Sequence, residues 1–305
     1  MPFYRTDATI TPTSQRVTLK NLLLLSICFA LFGCTTIDIS ENSFLRPDQR
    51  PPAPETLGAG YVMEPVSVAH ADGAVSRGIY LRSPQSIATV LYFGGNEFRL
   101  DREGKPVVEG LAKAGVDIVI FDHRGYGRSD GTPTAELLKT DAADLYRFVR
   151  TKVKNRVVVY GLSLGSFVAA SVAETQPIDG VVLEGAPTNA EDQVHALFPW
   201  YISLFVHPRL AAELLAIDNV KALRSYDGPL LLLVGGQDEL VPGSLQRSLY
   251  DQAKTSRKEI HVFPAYGHKG LIASVEFPLV LRQFLANKVD AYAKIKTTEL
   301  SKPGV

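Results

Sequence analysis

Short apolar runs recur along the chain and alternate with longer amphipathic stretches. Six of the runs lie near residues 88–93, 116–121, 156–160, 179–184, 229–234 and 259–263. Continuous apolar runs of this length are typical of strands that are buried on both faces of a parallel sheet. Ahead of them, residues 62–69 and 75–81 alternate between apolar and polar positions around Asp72-Gly73, which predicts an antiparallel hairpin.

Helical patterns fill the intervals between the apolar runs. We expect helices near residues 104–114, 134–150, 164–175, 242–254 and 271–287. The second has one broad apolar face, formed by Leu137, Leu138, Ala142, Leu145, Phe148 and Val149. Strands that alternate with helices after an opening hairpin predict an α/β fold, with about eight strands in one mostly parallel sheet flanked by helices.

The N-terminus has the pattern of an export signal. Arg16 and Lys20 precede an apolar stretch over 22–34, which is too short to span a bilayer comfortably and matches the core of a signal peptide. The motif Leu31-Phe32-Gly33-Cys34 resembles a bacterial lipobox. That resemblance implies that residues 1–33 are removed and that the Cys34 thiol carries a diacylglyceryl group.

A lipid on Cys34 would hold the protein at a membrane, because multiple acyl chains anchor a protein stably. An uncleaved signal anchor is the alternative, and it would also attach the protein to a membrane. Thr35 rather than an aspartate follows the cysteine, which in the lipoproteins it resembles favours the outer membrane. We therefore expect a membrane-anchored lipoprotein of the bacterial cell envelope that faces the periplasm.

The rest of the chain divides into a spacer, a folded domain and a tail. Residues 34–60 contain four prolines among polar residues and predict a tether between the membrane and the domain. Residues 61–288 are expected to form the folded domain, and residues 289–305 a polar, solvated tail. Both cysteines, Cys28 and Cys34, precede the domain, so it holds no disulfide.

Composition agrees with one domain and limits the partners. The 305 residues are 46% apolar and 21% charged, which is enough to bury a full core. The formal net charge is zero, and no stripe of Lys and Arg indicates a nucleic-acid partner. Six histidines are scattered without metal-ligand spacing, so the sequence implies no metal and no cofactor, and it leaves the oligomeric state open.

One strand runs directly into the pattern of a nucleophile elbow, Gly161-Leu162-Ser163-Leu164-Gly165. In such an elbow the serine occupies a sharp turn between a strand and a helix, and the glycines allow close packing of the neighbouring backbone. Ser163 is therefore the candidate nucleophile.

A serine hydroxyl needs a general base, and the base needs a carboxylate that orients it. Asp238 follows the apolar run at 229–234 in a loop that contains glycines, and His268 lies between Gly267 and Gly270 after the last predicted strand. Glu184, at the end of the sixth strand, is the alternative acid.

An oxyanion hole requires two backbone N–H groups close to the nucleophile. Leu164 supplies the N–H after the nucleophile. The second is expected from the loop that follows Phe93, where Gly94-Gly95 lets the backbone approach a substrate. We assign it to Asn96, with Gly95 as the alternative.

The order of these motifs resembles that of α/β-hydrolase-fold serine hydrolases, in the small-cap branch that includes membrane-associated depalmitoylase-like and serine-aminopeptidase-like enzymes. The resemblance covers residues 62–287. It is carried by Phe93-Gly94-Gly95-Asn96, by the loop 121–133 with Arg124-Gly125-Tyr126-Gly127, by the elbow, by Gly235-x-x-Asp238-x-x-Val241-Pro242 and by Gly267-His268. Gly94 departs from the pattern, since a histidine is common there.

The resemblance implies a cap inserted between the sixth and seventh strands, over about residues 187–225. This interval concentrates aromatic and aliphatic residues between 197 and 206. Either they pack the cap onto the body, or they form an acyl-chain pocket or a membrane-facing surface. Candidate pocket residues are Leu162, Phe198, Trp200 and Tyr201.

The expected reaction is hydrolysis of a carboxylic ester or thioester through an acyl-enzyme on Ser163, with a small or lipid-like acyl compound as substrate. A peptidase or amidase of the same fold is one alternative. A hydrolase-fold envelope lipoprotein that binds a partner or a lipid without catalysis is another.

Overall fold

The computed structural model describes residues 35–47, 63–198 and 201–300. Ten strands are present in these ranges: β1 (Thr35–Ile39), β2 (Met63–Ala69), β3 (Val75–Leu81), β4 (Thr89–Phe93), β5 (Asp117–Phe121), β6 (Val157–Leu162), β7 (Gly180–Glu184), β8 (Val206–Leu210), β9 (Leu230–Gly235) and β10 (Lys258–Phe263). Eight of them form the main sheet in the order β10-β9-β7-β6-β4-β5-β3-β2.

The main sheet is parallel except at one edge. Strand β3 pairs antiparallel with β2 and with β5, and the other pairs are parallel. The crossover from β5 to β6 passes over β4, which brings the ends of β4 and β6 side by side. The predicted fold class, an eight-stranded and mostly parallel sheet that opens with a hairpin, is confirmed.

Helices cover both faces of this sheet. Their bounds are α1 (Glu41–Phe44), α2 (Leu100–Lys113), α3 (Ala135–Lys152), α4 (Leu164–Thr175), α5 (Ala190–Ala196), α6 (Ala212–Leu215), α7 (Asn219–Arg224), α8 (Gly243–Gln252), α9 (Phe277–Phe284) and α10 (Asp290–Leu300). A 3-10 turn, Leu271–Ala273, precedes α9, and a π turn, Leu285–Val289, joins α9 to α10.

Alternate residues of the central strands contribute their side chains to two separate hydrophobic cores. Leu91 and Val159 belong to the core beneath α3 and α4, whereas Val90 and Val158 belong to the core beneath α2 and α9. This follows from the two-residue period of a strand, whose side chains point to opposite faces. Strands covered on both faces must be apolar throughout, which is why the apolar runs predict them.

The insertion between β7 and β9 contains α5, β8, α6 and α7. Strand β8 does not join the main sheet. It pairs parallel with β1, in a register that runs from Thr35 opposite Val206 to Ile39 opposite Leu210. Neither strand was predicted from the sequence.

The predicted tether over 34–60 differs from the structure. Residues 35–47 pack on the domain: β1 pairs with the insertion, α1 follows it, and Leu45 is buried with 2% exposure. The physical reason is the apolar content of this stretch, since Ile39, Phe44 and Leu45 are at least partly removed from water by packing on the main core. Residues 48–60 lie outside the described residues, as do the predicted signal peptide, 1–33, and Cys34.

The predicted polar tail, 289–305, is also structured along much of its length. Helix α10 continues to Leu300. Val289, Tyr292 and Ala293 are buried, and their spacing places them on one face of a helix. The Tyr292 hydroxyl donates to Asp227 at 3.1 Å, which fixes this helix to the body.

Among the helices of the described ranges, none is long and apolar enough to cross a membrane.

Candidate active site

Ser163 lies between the last residue of β6 and the first residue of α4, with φ 53° and ψ −115°. It and Glu97 are the two non-glycine residues with positive φ in the described part of the chain. A side chain in this backbone region costs about 1–3 kcal/mol and persists only where the surrounding structure enforces it.

The two glycines of the motif explain what enforces the turn. A Cβ on Gly161 would lie 2.1 Å from the carbonyl oxygen of Gly165, and a Cβ on Gly165 would lie 2.1 Å from the carbonyl oxygen of Phe93. The first turn of α4 therefore rests directly on the ends of β6 and β4. Because both glycines contact neighbouring backbone this closely, Ser163 is confined to a sharp turn between the strand and the helix.

Two backbone N–H groups near Ser163, those of Leu164 and Asn96, are candidates for binding an anion. Leu164 is the first residue of α4, so its N–H has no partner within the helix and can face a ligand. Gly95 passes over the elbow, since a Cβ there would lie 3.5 Å from Ser163 Cβ. Asn96 follows it and lines the same cavity as Ser163.

The backbone at Gly94 leaves no room for a side chain. A Cβ at this position would lie 2.1 Å from the Phe98 ring. The ring of His123 lies beside the same loop, and its Nε2 forms a 2.8 Å hydrogen bond with the Gly94 carbonyl. The loop is thus held by Phe98 and His123, at the point where the sequence departs from the pattern that it resembles.

His268 and Asp238 form a buried pair. His268 Nδ1 lies 2.9 Å from Asp238 Oδ2, and the exposed fractions of the two side chains are 10% and 0%. Asp238 Oδ1 also accepts hydrogen bonds from the backbone N–H groups of Leu240 and Val241, at 3.0 and 2.8 Å. These bonds fix the carboxylate, and because a carboxylate only accepts hydrogen bonds, the bond with Asp238 assigns the Nδ1 proton to His268 and leaves the lone pair of the neutral ring on Nε2.

The elbow and this pair converge on the turn that ends β7. The Ser163 N–H donates to the Glu184 carbonyl at 2.9 Å. A Cβ on the next residue, Gly185, would lie 3.0 Å from the His268 ring and 3.5 Å from Asp238. In the described residues no direct hydrogen bond joins the Ser163 hydroxyl to His268, and such contacts commonly tighten when a ligand binds.

Glu184, the alternative acid, has a different environment. Its side chain is buried, its Oε2 accepts a short hydrogen bond from the Tyr160 hydroxyl, and its Oε1 has no partner. Burial raises its pKa to about 7, although the Tyr160 hydroxyl and the nearby His268 ring act in the opposite direction. The carboxylate that contacts the His268 ring is therefore that of Asp238.

A cavity of about 380 Å³ opens beside Ser163. Its walls are mainly apolar and come from α4, from the insertion and from the N-terminal segment: Phe167, Pro187, Val194, Leu197, Phe198, Ile37, Ile39 and Phe44. Of the four predicted pocket residues, only Phe198 is found here. Leu162 lines a second cavity of about 270 Å³ together with Glu184, and Tyr201 is 53% exposed and outside both walls. Trp200 lies outside the described residues.

Sequence reasoning missed the contribution of the N-terminal segment to this cavity. The signal that could have found it is the alternation of Ile37, Asp38 and Ile39, which is the pattern of a half-buried strand. Three residues of alternation are too few to predict a strand on their own.

Comparisons with known proteins agree with this fold. The α/β-hydrolase-fold family matches residues 94–217. Lysophosphatidylserine lipase ABHD12 of Macaca fascicularis is 28% identical over 271 residues, which covers 80% of this chain and 66% of the relative. Membrane protein YNL320W of Saccharomyces cerevisiae is 31% identical over 181 residues, which covers 57% of this chain and 62% of the relative. The chain thus spans just under two thirds of the length of these relatives.

Among solved structures, the Pyrococcus furiosus esterase Pf2001 is similar with a TM-score of 0.62 and 20% identity, over 80% of this chain and 100% of that chain. At this identity the likeness concerns the fold. The sheet order, the family match and these neighbours together show an α/β-hydrolase fold.

The raised pKa of Glu184 predicts a pH-dependent stability. In the unfolded chain this carboxyl ionises near its ordinary pKa of 4.5, whereas in the folded chain it keeps its proton until about 7. Its contribution to stability is therefore fully present below 4.5 and is lost as the pH rises through about 7. Relative to Glu184→Gln, which stays neutral, the wild-type free energy of unfolding should fall by about 3 kcal/mol over this interval.

Urea unfolding of both proteins at several pH values measures this difference. Glu109→Gln is the matched control, because Glu109 is an exposed partner of Lys105 and should leave the wild-type pH profile unchanged. Parallel profiles for wild type and Glu184→Gln would show that Glu184 does not hold its proton.

Proposed function

We propose that this α/β-hydrolase-fold enzyme cleaves a carboxylic ester or thioester through an acyl-enzyme on Ser163. The observation that carries the proposal is the convergence of the constrained Ser163 elbow with the buried pair of His268 and Asp238, at the turn that ends β7. Nucleophilic catalysis requires a serine and an oriented imidazole that can come within hydrogen-bond reach of each other, and this turn brings both groups to the same part of the molecule.

In the first half-reaction, His268 Nε2 takes the proton of the Ser163 hydroxyl while the oxygen bonds to the carbonyl carbon of the substrate. The C=O electron pair moves onto the carbonyl oxygen, where the N–H groups of Leu164 and Asn96 bind it. When the C–O or C–S bond breaks, His268 returns the proton to the leaving alcohol or thiol. Asp238 stabilises the charged imidazole throughout.

In the second half-reaction, a water molecule takes the place of the alcohol or thiol. His268 accepts a proton from the water as its oxygen attacks the acyl-enzyme, and the same two amides bind the oxyanion. The carboxylic acid then leaves and Ser163 recovers its proton. Each donor of such a pair is worth about 3 kcal/mol to the transition state.

The substrate is an acyl compound with an apolar chain. The cavity beside Ser163 has apolar walls, and its charged lining residues, Asp38 and Arg46, have side chains that are 68% exposed. An apolar chamber with a charged, solvated rim suits a single-chain amphiphile. A relative that is named a lysophosphatidylserine lipase, together with an esterase neighbour, supports a lipid-like ester.

The same proposal includes attachment to a membrane. Cleavage after residue 33 and a lipid on Cys34 would anchor the enzyme in a membrane of the bacterial envelope, on the periplasmic side. The support for this part is the lipobox pattern and the similarity to a relative that is itself a membrane protein. The residues concerned lie outside the described ranges.

A fluorophosphonate probe should label wild-type protein on Ser163, because an activated serine attacks phosphorus as it attacks a carbonyl. Peptide mass mapping locates the adduct, and Ser163→Ala is the control that should show neither labelling nor ester hydrolysis above background. Folded wild-type protein that stays unlabelled would favour the non-catalytic alternative, and hydrolysis by Ser163→Ala at the wild-type rate would exclude this nucleophile.

The two buried carboxyls should differ in their effect on catalysis. Asp238→Asn keeps the shape of the site but loses the charge that fixes the His268 tautomer, so kcat/KM should fall by about three to four orders of magnitude. Glu184→Gln should stay within about fivefold of wild type. Steady-state hydrolysis of p-nitrophenyl esters measures both values, and the reverse ranking would make Glu184 the triad acid.

A further inference from the structure

The first described segment of the chain, residues 35–46, is built into the domain at three places. Strand β1 pairs with β8 along its whole length, and Asp38 forms a 2.7 Å ion pair with Arg209. Glu41 accepts a 2.7 Å hydrogen bond from the backbone N–H of Ala135, the first residue of α3. Leu45 inserts into the main core. We call this segment the N-terminal wall.

The N-terminal wall forms one side of the cavity beside Ser163. Six of the fourteen lining residues belong to it: Ile37, Asp38, Ile39, Ser43, Phe44 and Arg46. Most of the others lie on α4 and on the insertion. Without this segment, the cavity would lose one of its sides.

The same segment holds the candidate oxyanion loop. Asn96 Nδ2 donates to the Phe44 carbonyl at 2.7 Å, and Asn96 Oδ1 accepts from the backbone N–H of Arg46 at 2.9 Å. The Tyr126 hydroxyl donates to the same oxygen at 2.8 Å. Two of these three contacts of the Asn96 side chain therefore end on backbone atoms of the N-terminal wall.

We infer that the N-terminal wall selects the acyl chain of the substrate and positions the oxyanion loop. The inference rests on the proposed function, since it assigns the wall to that same site. Phe44 is the specificity-determining residue, because it lines the chamber and packs against the main core. Asn96 acts through its side chain as a positioning residue for its own backbone N–H.

Two physical arguments support these assignments. A large side chain in the wall of an apolar chamber limits how many methylene groups fit, and each methylene is worth about 1–3 kcal/mol in such a pocket. A donor that moves by about 1 Å from the developing oxyanion can cost a factor of about 100 in rate. The contacts that fix Asn96 therefore matter for the turnover number more than for binding.

The first test uses the full chain and p-nitrophenyl esters with acyl chains from acetyl to hexadecanoyl. Phe44→Ala enlarges the chamber and should move the optimum of kcat/KM to longer chains, whereas Phe44→Trp should move it to shorter ones. The ratio between long and short esters should change by about tenfold or more in opposite directions. Phe148→Ala is the matched control, because Phe148 is another partly buried phenylalanine that packs on the main core but is outside the chamber.

The second test separates positioning from binding. Asn96→Ala keeps the backbone N–H but removes every contact of the side chain, so kcat should fall by about tenfold to a hundredfold while KM changes little. Tyr126→Phe removes one of the three contacts and should give a smaller loss of the same kind. A variant that only loosened the fold would lose stability without this split between kcat and KM.

The outcomes distinguish this inference from the proposed function. If wild-type protein hydrolyses the esters but both Phe44 variants keep its chain-length profile, the assignment of Phe44 is wrong. If Asn96→Ala keeps the wild-type kcat, the positioning role is wrong. If wild-type protein neither hydrolyses the esters nor takes up a fluorophosphonate on Ser163, the proposed function itself is wrong.

Discussion

The close approach of three backbones at the elbow determines the rest of the site. Helix α4 begins on top of β6 and β4, with Gly161 and Gly165 at distances that exclude any side chain. Ser163 is therefore forced to adopt a positive φ, and the Leu164 N–H is left at the end of a helix. The same crossing brings the loop after β4 over Ser163, and the contacts of the Asn96 side chain with the N-terminal wall and Tyr126 hold that loop in place.

Two buried carboxyls near His268 show how environment separates groups of the same chemistry. Asp238 accepts hydrogen bonds from two backbone N–H groups and contacts the imidazole. Glu184 Oε2 accepts a hydrogen bond from the Tyr160 hydroxyl, whereas its Oε1 has no hydrogen-bond partner among the described residues. Burial favours the neutral form of a carboxyl and raises the pKa of Glu184 to about 7. The site thus has one carboxylate suited to stabilise a cation beside a second group that retains its proton.

Much of the fold and most of the catalytic candidates could be predicted, because their signals are local. A strand buried on both faces must be apolar throughout, and the elbow is recognised from two glycines that sterics require. Strands β1 and β8 could not be predicted, since they form an isolated pair whose partners are separated by 171 residues between Asp38 and Arg209. The cavity was only partly predicted for the same reason. Phe198 belongs to a cluster of aromatic residues that can be recognised in the sequence, whereas Phe44 is brought to the site by the long-range pairing of β1 with β8.

The most direct test of this account is a crystal structure of wild-type protein inactivated by a long-chain alkyl fluorophosphonate. The account predicts a bond between phosphorus and Ser163 Oγ, with the phosphonyl oxygen about 2.7–3.1 Å from the N–H groups of Leu164 and Asn96. The alkyl chain should lie in the chamber against Phe44 and Phe198. A phosphonyl oxygen away from both amides, or an alkyl chain in the second cavity beside Leu162 and Glu184, would contradict it.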